Sequence, residues 1–195
     1  MKHILIIQAH PDASTPHFCH ALQSAYAEAA QAAGHRVEVI DLGKVEVKLL
    51  RSKAAWESDD QLPEFAAAGQ AALARAEHVV FIYPLWLGSM PAVLKAWLEQ
   101  VLRPNFAFNI AAGGQRWSAK LGGQSARVII TMGMPAFFYR LFYFSHSLRS
   151  FERNILKFCG IKPVRTSLIG MVDKKNPAQR ANWLRRMARF GREGN

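Results

Sequence analysis

Cysteine is nearly absent: Cys19 and Cys159 are the only two, and they form neither a CxxC pair nor a metal-spaced set. That excludes a disulfide scaffold or a zinc ribbon, and it leads to the expectation of a reduced, cytoplasmic protein with no metal site. Long hydrophobic runs are missing too, since none approaches the roughly 20 residues of a transmembrane helix. The apolar start MKHILIIQAH lacks a small-residue cleavage site, so it is expected to be a core strand rather than a leader. Acidic residues are few, 14 against 25 Lys and Arg, giving a net charge of +11. Neither GxGxxG nor GxxxxGK[ST] occurs, which removes the dinucleotide Rossmann turn and the Walker-type phosphate loop.

The basic excess invites an anionic partner. Part of it is Arg185, Arg186, Arg189 and Arg192, which on a terminal helix lie opposite Trp183, Leu184, Met187 and Phe190. That pattern reads as a solvated helix face. No basic stripe is interleaved with exposed aromatics, so no nucleic-acid partner is expected.

With 195 residues and 50% hydrophobic content, the chain suits one sizeable core and a single domain spanning 1–195. Strands are expected at His3–Ala9, Arg36–Asp41, Val79–Tyr83, Ala126–Thr131 and Val164–Ile169. Helices are expected at Phe18–Ala33 (closed by Gly34), Pro63–Ala76, Pro91–Leu102, Arg140–Phe158 and Pro177–Arg192. Residues 42–62 read as an irregular connection and 109–124 as a long loop or small excursion. Alternation of this kind predicts an α/β, flavodoxin-like three-layer sandwich, a five-stranded parallel sheet in the order 2-1-3-4-5 with helices on both faces. Its ligand crevice would open beyond the carboxyl ends of strands 1, 3 and 4.

Three loops converge there. HPDASTPHFC (10–19) offers Ser14 and Thr15 hydroxyls and a helix start, an anion site for one phosphate, to which His10 and His17 could add charge or a hydrogen bond. PLWLGSM (84–90) is unusually apolar for a turn and suits a flat ring. TMGMPAFFY (131–139) offers the Thr131 hydroxyl, close approach at Gly133 and backbone N–H groups for a polar ring edge. The three match the phosphate, ring face and pyrimidine edge of a flavin mononucleotide.

The AHP ending of the first strand, the FxxAL helix start (Phe18–Leu22), the block YPLWLGSMPAVLKAWLEQVLRPNFAF and ILKFCGIKPV (155–164) carry a further signal. Through them the chain resembles the flavodoxin-like NAD(P)H:quinone oxidoreductase family. That resemblance implies a non-covalent flavin, FMN with FAD as the alternative, and NAD(P)H as co-substrate passing hydride to a quinone or similar acceptor. It implies His10, Ser14, Phe18 and Cys19 around the phosphate and ribityl chain, and Pro84, Leu85, Trp86 and Leu87 along the ring. Thr131, Met132, Gly133 and Met134 would meet its polar edge, with Tyr139 and His146 beside it as proton donors. A homodimer is implied too, with Phe106, Phe108, Trp117 and the 137–144 aromatics as candidate contact surface. The same family includes ancillary subunits of potassium efflux systems, so a flavin- or nucleotide-binding regulatory subunit is the alternative, and peripheral contact with a membrane or transporter stays open. The chain departs from the family where Met132 and Met134 interrupt a Thr-Thr-Gly-Gly turn, where Cys19 replaces an asparagine, and in a longer first loop.

Overall fold

The computed structural model describes residues 1–58, 62–110 and 116–195. The elements run β1 (His3–Gln8), α1 (Phe18–Ala32), β2 (Arg36–Asp41), α2 (Lys53–Glu57), α3 (Glu64–Arg75), β3 (His78–Pro84) and α4 (Ala92–Val101). They continue with β4 (Phe108–Ile110), β5 (Trp117–Ala119), β6 (Ser125–Thr131), α5 (Ala136–Leu141), α6 (His146–Ser150), β7 (Val164–Ile169) and α7 (Pro177–Glu193).

Strands β1, β3 and β6 are mostly apolar and buried at nearly every position, so both faces of the sheet need cover. Alternate side chains sort into two cores. Ile4, Ile6, Val80, Ile82 and Ile129 pack with Leu22 and Tyr26 of α1 and Met187 and Phe190 of α7. Leu5, Ile7, Val79, Phe81, Tyr83, Val128 and Ile130 pack with Leu73 of α3 and Leu94, Trp97 and Leu98 of α4. Each fully buried Ile, Leu, Val or Phe contributes roughly 1.5–3 kcal/mol. The sheet is parallel in the order β2-β1-β3-β6-β7, the expected 2-1-3-4-5 once the small β4/β5 pair is set aside.

Two helix ends were written in the sequence. Gly34, at φ +83°, follows α1 as anticipated. At α7 Asn176 caps the helix: Gln179 N–H donates to its Oδ1 at 2.9 Å, Gln179 Oε1 accepts the Asn176 N–H at 3.2 Å, and Pro177 follows.

The structure corrects three expectations. The 42–62 connection carries a 3-10 turn, Leu42–Lys44, and the short α2, capped by Ser52, whose Oγ accepts from Ala55 N–H at 3.1 Å. Residues 109–124 are not simply a loop: β4 and β5 pair antiparallel, Phe108 with Ala119 and Ile110 with Trp117, and residues 111–115 lie outside the described residues. The helix expected over 140–158 begins earlier, after Pro135, and breaks at Phe144 and Ser145, both in the left-handed region at φ +50° and +53°. It resumes as α6 and widens into a π-helical turn over Phe151–Leu156. Aromatic residues are indifferent helix formers, and two left-handed residues in a row end a right-handed helix.

α7 crosses α1 so closely that a Cβ on Gly191 would sit 2.2 Å from the Tyr26 carbonyl oxygen. Gly191→Ala is therefore expected to destabilise the protein by about 1–3 kcal/mol, read as a lowered Tm by circular dichroism; an unchanged Tm would refute the close approach.

His78 is buried at the start of β3, with Nδ1 2.8 Å from Ser125 Oγ. Burial, reinforced by the positive charges of Lys2 and Arg127, lowers its pKa from 6.5 to about 3. The unfolded chain therefore binds a proton that the folded one refuses, and stability falls as pH drops from about 6.5 towards 3. Urea titrations should show a loss of up to about 1.4 kcal/mol per pH unit from this group, and His78→Gln should flatten that slope between pH 6 and 4.

Candidate cofactor cleft

The strand order reverses between β1 and β3, and main-chain bonds continue past the strand ends to set the loops. Ala9 N–H donates to Ile82 O at 2.8 Å, Leu85 N–H to Thr131 O at 2.7 Å and Met132 N–H to Ile169 O at 2.9 Å. Between those loops lies a cleft of about 390 Å³, within the range of small-molecule sites.

Its apolar wall is Pro84, Leu85 and Trp86, and its floor runs through Thr131, Met132 and Gly133. Cys19 Sγ lies 3.2 Å from Thr131 Oγ1, tying the first turn of α1 to the end of β6. His10 stacks on His17 with ring centroids 3.7 Å apart and meets Trp86 edge-on at 5.9 Å. Burial lowers the His10 pKa, and the neighbouring His17 and His20 act in the same direction, so the ring favours its neutral form.

Opposite the wall is a cationic corner. Arg180 donates from Nη2 to Val172 O at 2.9 Å and from Nε to Lys175 O at 3.3 Å, and its guanidinium stands 5.1 Å from the Phe18 ring. No carboxylate neutralises it within salt-bridge distance among the described residues. The N-terminus of α1 opens at the same corner, where the Phe18 and Cys19 amides have no backbone acceptor among the described residues, while the His20 amide is taken up by His17. A phosphate group fits this donor set. Asp173 adds one carboxylate at the rim.

Of the residues expected from sequence, His10, Phe18, Cys19, Pro84, Leu85, Trp86, Thr131, Met132 and Gly133 line the cleft together with His17. Ser14 and Thr15 do not. Asp12 holds them in a tight turn, Oδ1 accepting from Ser14 N–H at 2.8 Å and Oδ2 from Thr15 Oγ1 at 2.8 Å and His17 Nε2 at 2.7 Å. These bonds, those from Ser14 foremost, hold the Asp12 carboxyl far below the usual carboxylate range. Ser14 and Thr15 border a separate depression with His20, Gln23 and Lys44.

Leu87 is also outside the cleft. Trp86 and Ser89 exchange two backbone bonds of 2.9 Å around Leu87 and Gly88, both at positive φ, a tight reversal that turns Leu87 fully into solvent. Met134 packs against the core instead. Tyr139 is buried: its Oη accepts from Leu148 N–H at 3.1 Å and shares a bond with Ser147 Oγ at 2.8 Å. His146 is exposed and stacks on Phe144 at 5.7 Å. Neither is positioned by the cleft walls. The backbone donors expected after β6 are partly spent, because the sheet bond to Ile169 takes the Met132 amide.

Pro16, Val172, Asp173 and Arg180 line the cleft without having been singled out in the sequence. Three of them come from the segment after β7, beyond the three loops that strand reversal highlights. The Asn176-Pro177 helix start was the available signal, since it places Arg180 in the first turn of α7.

A doubly wound parallel sheet of this order, with a cleft at its switch point, defines a flavodoxin-like fold. The chain belongs to the Flavodoxin_2 family, whose model, described as flavodoxin-like fold, matches residues 2–190. It is 28% identical over 181 residues to an uncharacterized NAD(P)H oxidoreductase of Haemophilus influenzae, covering 90% of this chain and 88% of that protein. It is 29% identical over 154 residues to a ribosyldihydronicotinamide dehydrogenase-like protein of Penicillium crustosum, covering 67% of this chain but only 57% of the relative's length. The solved NAD(P)H:quinone oxidoreductase from Methanothermobacter marburgensis superposes with a TM-score of 0.82 at 26% identity, covering 98% of this chain and 96% of that one.

Burial drives the thiol pKa of Cys19 up to about 11 and that of Cys159 up to about 12. Neither should react with Ellman's reagent at pH 8 in the folded protein, and both should react in guanidinium. Rapid labelling of a native thiol would contradict the packing at Cys19 and Thr131 or around Cys159.

Proposed function

We propose that this chain is an FMN-dependent NAD(P)H oxidoreductase that reduces quinones or similar flat acceptors. The carrying observation is the pairing, in one switch-point cleft, of the Pro84–Trp86 wall with the unneutralised Arg180 and the α1 N-terminus. A flat apolar group bearing an anionic arm is the ligand such a cleft suits. Family membership and the printed activities of the Haemophilus and Methanothermobacter relatives support the redox reading.

Bound there, a flavin would supply the hydride chemistry, accepting from nicotinamide and passing to the acceptor. The protein's part is binding and orientation. Trp86 and Leu85 would cover the ring face and exclude water. Arg180, held by Val172 O and Lys175 O, would meet the phosphate with its geometry already set. Neutral His10 would buttress Trp86 without adding charge beside the ring. The Gly133 N–H, without an acceptor among the described residues, would meet a polar ring edge. A single cationic corner and about 390 Å³ favour FMN over the longer FAD. The homodimer implied by the resemblance belongs to the same reading, with Trp117 and the exposed aromatics of 137–144 as its candidate contacts, whereas Phe108 is buried within the chain.

FMN added to purified apoprotein should quench its tryptophan fluorescence. Arg180→Gln should weaken the affinity roughly tenfold or more, the scale of a lost charge-assisted hydrogen bond. The holoprotein should bleach anaerobically with NADH or NADPH and recolour with a quinone. Protein that takes up no FMN would sink the proposal, and flavin that binds but is not reduced would leave a binding protein instead of an enzyme.

A further inference from the structure

Asp173 is the single carboxylate among the described residues that line the cleft. Main-chain bonds of the β7–α7 connection fix it there. Met171 N–H donates to Met134 O at 3.1 Å and Val172 N–H to Met132 O at 3.2 Å, so the carbonyls on either side of Gly133 both grip this turn. The Val172 carbonyl in turn accepts from Arg180 Nη2 at 2.9 Å. Asp173 comes next, and a Cβ built on Gly133 would stand 3.5 Å from its Oδ2. The carboxylate is therefore held between Gly133 and Arg180 before any ligand arrives.

Its own hydrogen-bonding capacity is unspent. Asp173 has no hydrogen-bond or ion-pair partner among the described residues. Arg180 gives its donors to the Val172 and Lys175 carbonyls, and the adjacent Lys174 does not come within salt-bridge distance. A carboxylate in a cleft that suits an anion opposes that anion, unless the ligand also presents donors to it. Position decides which donors these are. Gly133 lies on the side of the polar ring edge, and Arg180 on the side of the phosphate. What joins those two parts of a flavin mononucleotide is the ribityl chain, a row of hydroxyl donors.

We infer that Asp173 is a specificity-determining residue of the cleft, accepting hydrogen bonds from a polyol chain that links a flat ring to a phosphate. It rests on the flavin reading and narrows the ligand class within it. A plain alkyl linker would leave the carboxylate facing the ligand without a donor, so the cleft should reject it.

Fluorescence titrations with two ligands test this: FMN, and an analogue carrying the same ring and phosphate on an unsubstituted five-carbon chain. Wild-type protein should prefer FMN about tenfold or more, the scale of a charge-assisted hydrogen bond. In Asp173→Ala that preference should shrink about tenfold. Because the readout is a ratio, repulsion between carboxylate and phosphate cancels from it. Asp173→Asn, which keeps an acceptor oxygen without the charge, should fall between the two. Both variants should keep the wild-type circular dichroism melt, since Asp173 is exposed and bonds to nothing in the fold. A preference for FMN that survives intact in Asp173→Ala overturns the inference, as does a wild-type protein that binds both ligands equally. Wild-type protein that takes up neither ligand overturns the flavin reading itself, and the role of Asp173 with it.

Discussion

The parallel pairing of β1 with β3 and of β3 with β6 is the constraint on which everything else rests. Its register sets Gln8 beside Ile82 and Pro84 beside Thr131, so neighbouring strands end at nearly the same depth. Because the order reverses at β1, α1 leaves on one face of the sheet and α4 on the other, and neither fills the gap between them. A cleft there follows from topology before any side chain is chosen. The bonds from Ala9 to Ile82 and from Leu85 to Thr131 carry the sheet one residue further and keep the loops from collapsing into that gap.

The same pairing limits the chemistry. Each amide that extends the sheet is lost to a ligand, and Leu85, Trp86 and Met132 all spend theirs within the protein. Recognition of an anion therefore passes to Arg180 and the α1 N-terminus. Both depend on the α1–α7 layer, where Gly191 lets the helices close on one another. Met187 and Phe190 bury one end of α7 in the core while Arg180, near its other end, reaches the cleft. Loosening that packing would disturb stability and anion binding together, although Gly191 lies far along the helix from the cleft.

What could be read from the sequence follows from how local each signal is. Apolar runs with two buried faces announce parallel strands, and the order 2-1-3-4-5 with its crevice came from them. The YPLW and TMG segments both reach the cleft because they directly follow strands. Leu87 does not line the cleft because a two-residue reversal at positive φ turns it outward, a matter of backbone geometry rather than composition. Ser14 and Thr15 looked like phosphate ligands by type, but Asp12 two and three residues earlier captures both hydroxyls. Arg180 was hidden among many arginines. Only the fold brings α7 back against α1 and separates the one arginine in the cleft from the solvated Arg185, Arg189 and Arg192.

Tyr139 shows why the aromatic segment after the cleft is unusual. It is the one ring of that run that the fold uses: fully buried, with its hydroxyl bridging Ser147 and the Leu148 amide so that α5 and α6 are pinned together. The rings around it add little to the core, since they pack mainly on one another and face water. An exposed apolar patch of that kind is a liability for an isolated protein and adds nothing to the stability of its own core. The reason for Phe137, Phe142 and Phe144 therefore lies outside the folded chain, in whatever surface those rings meet.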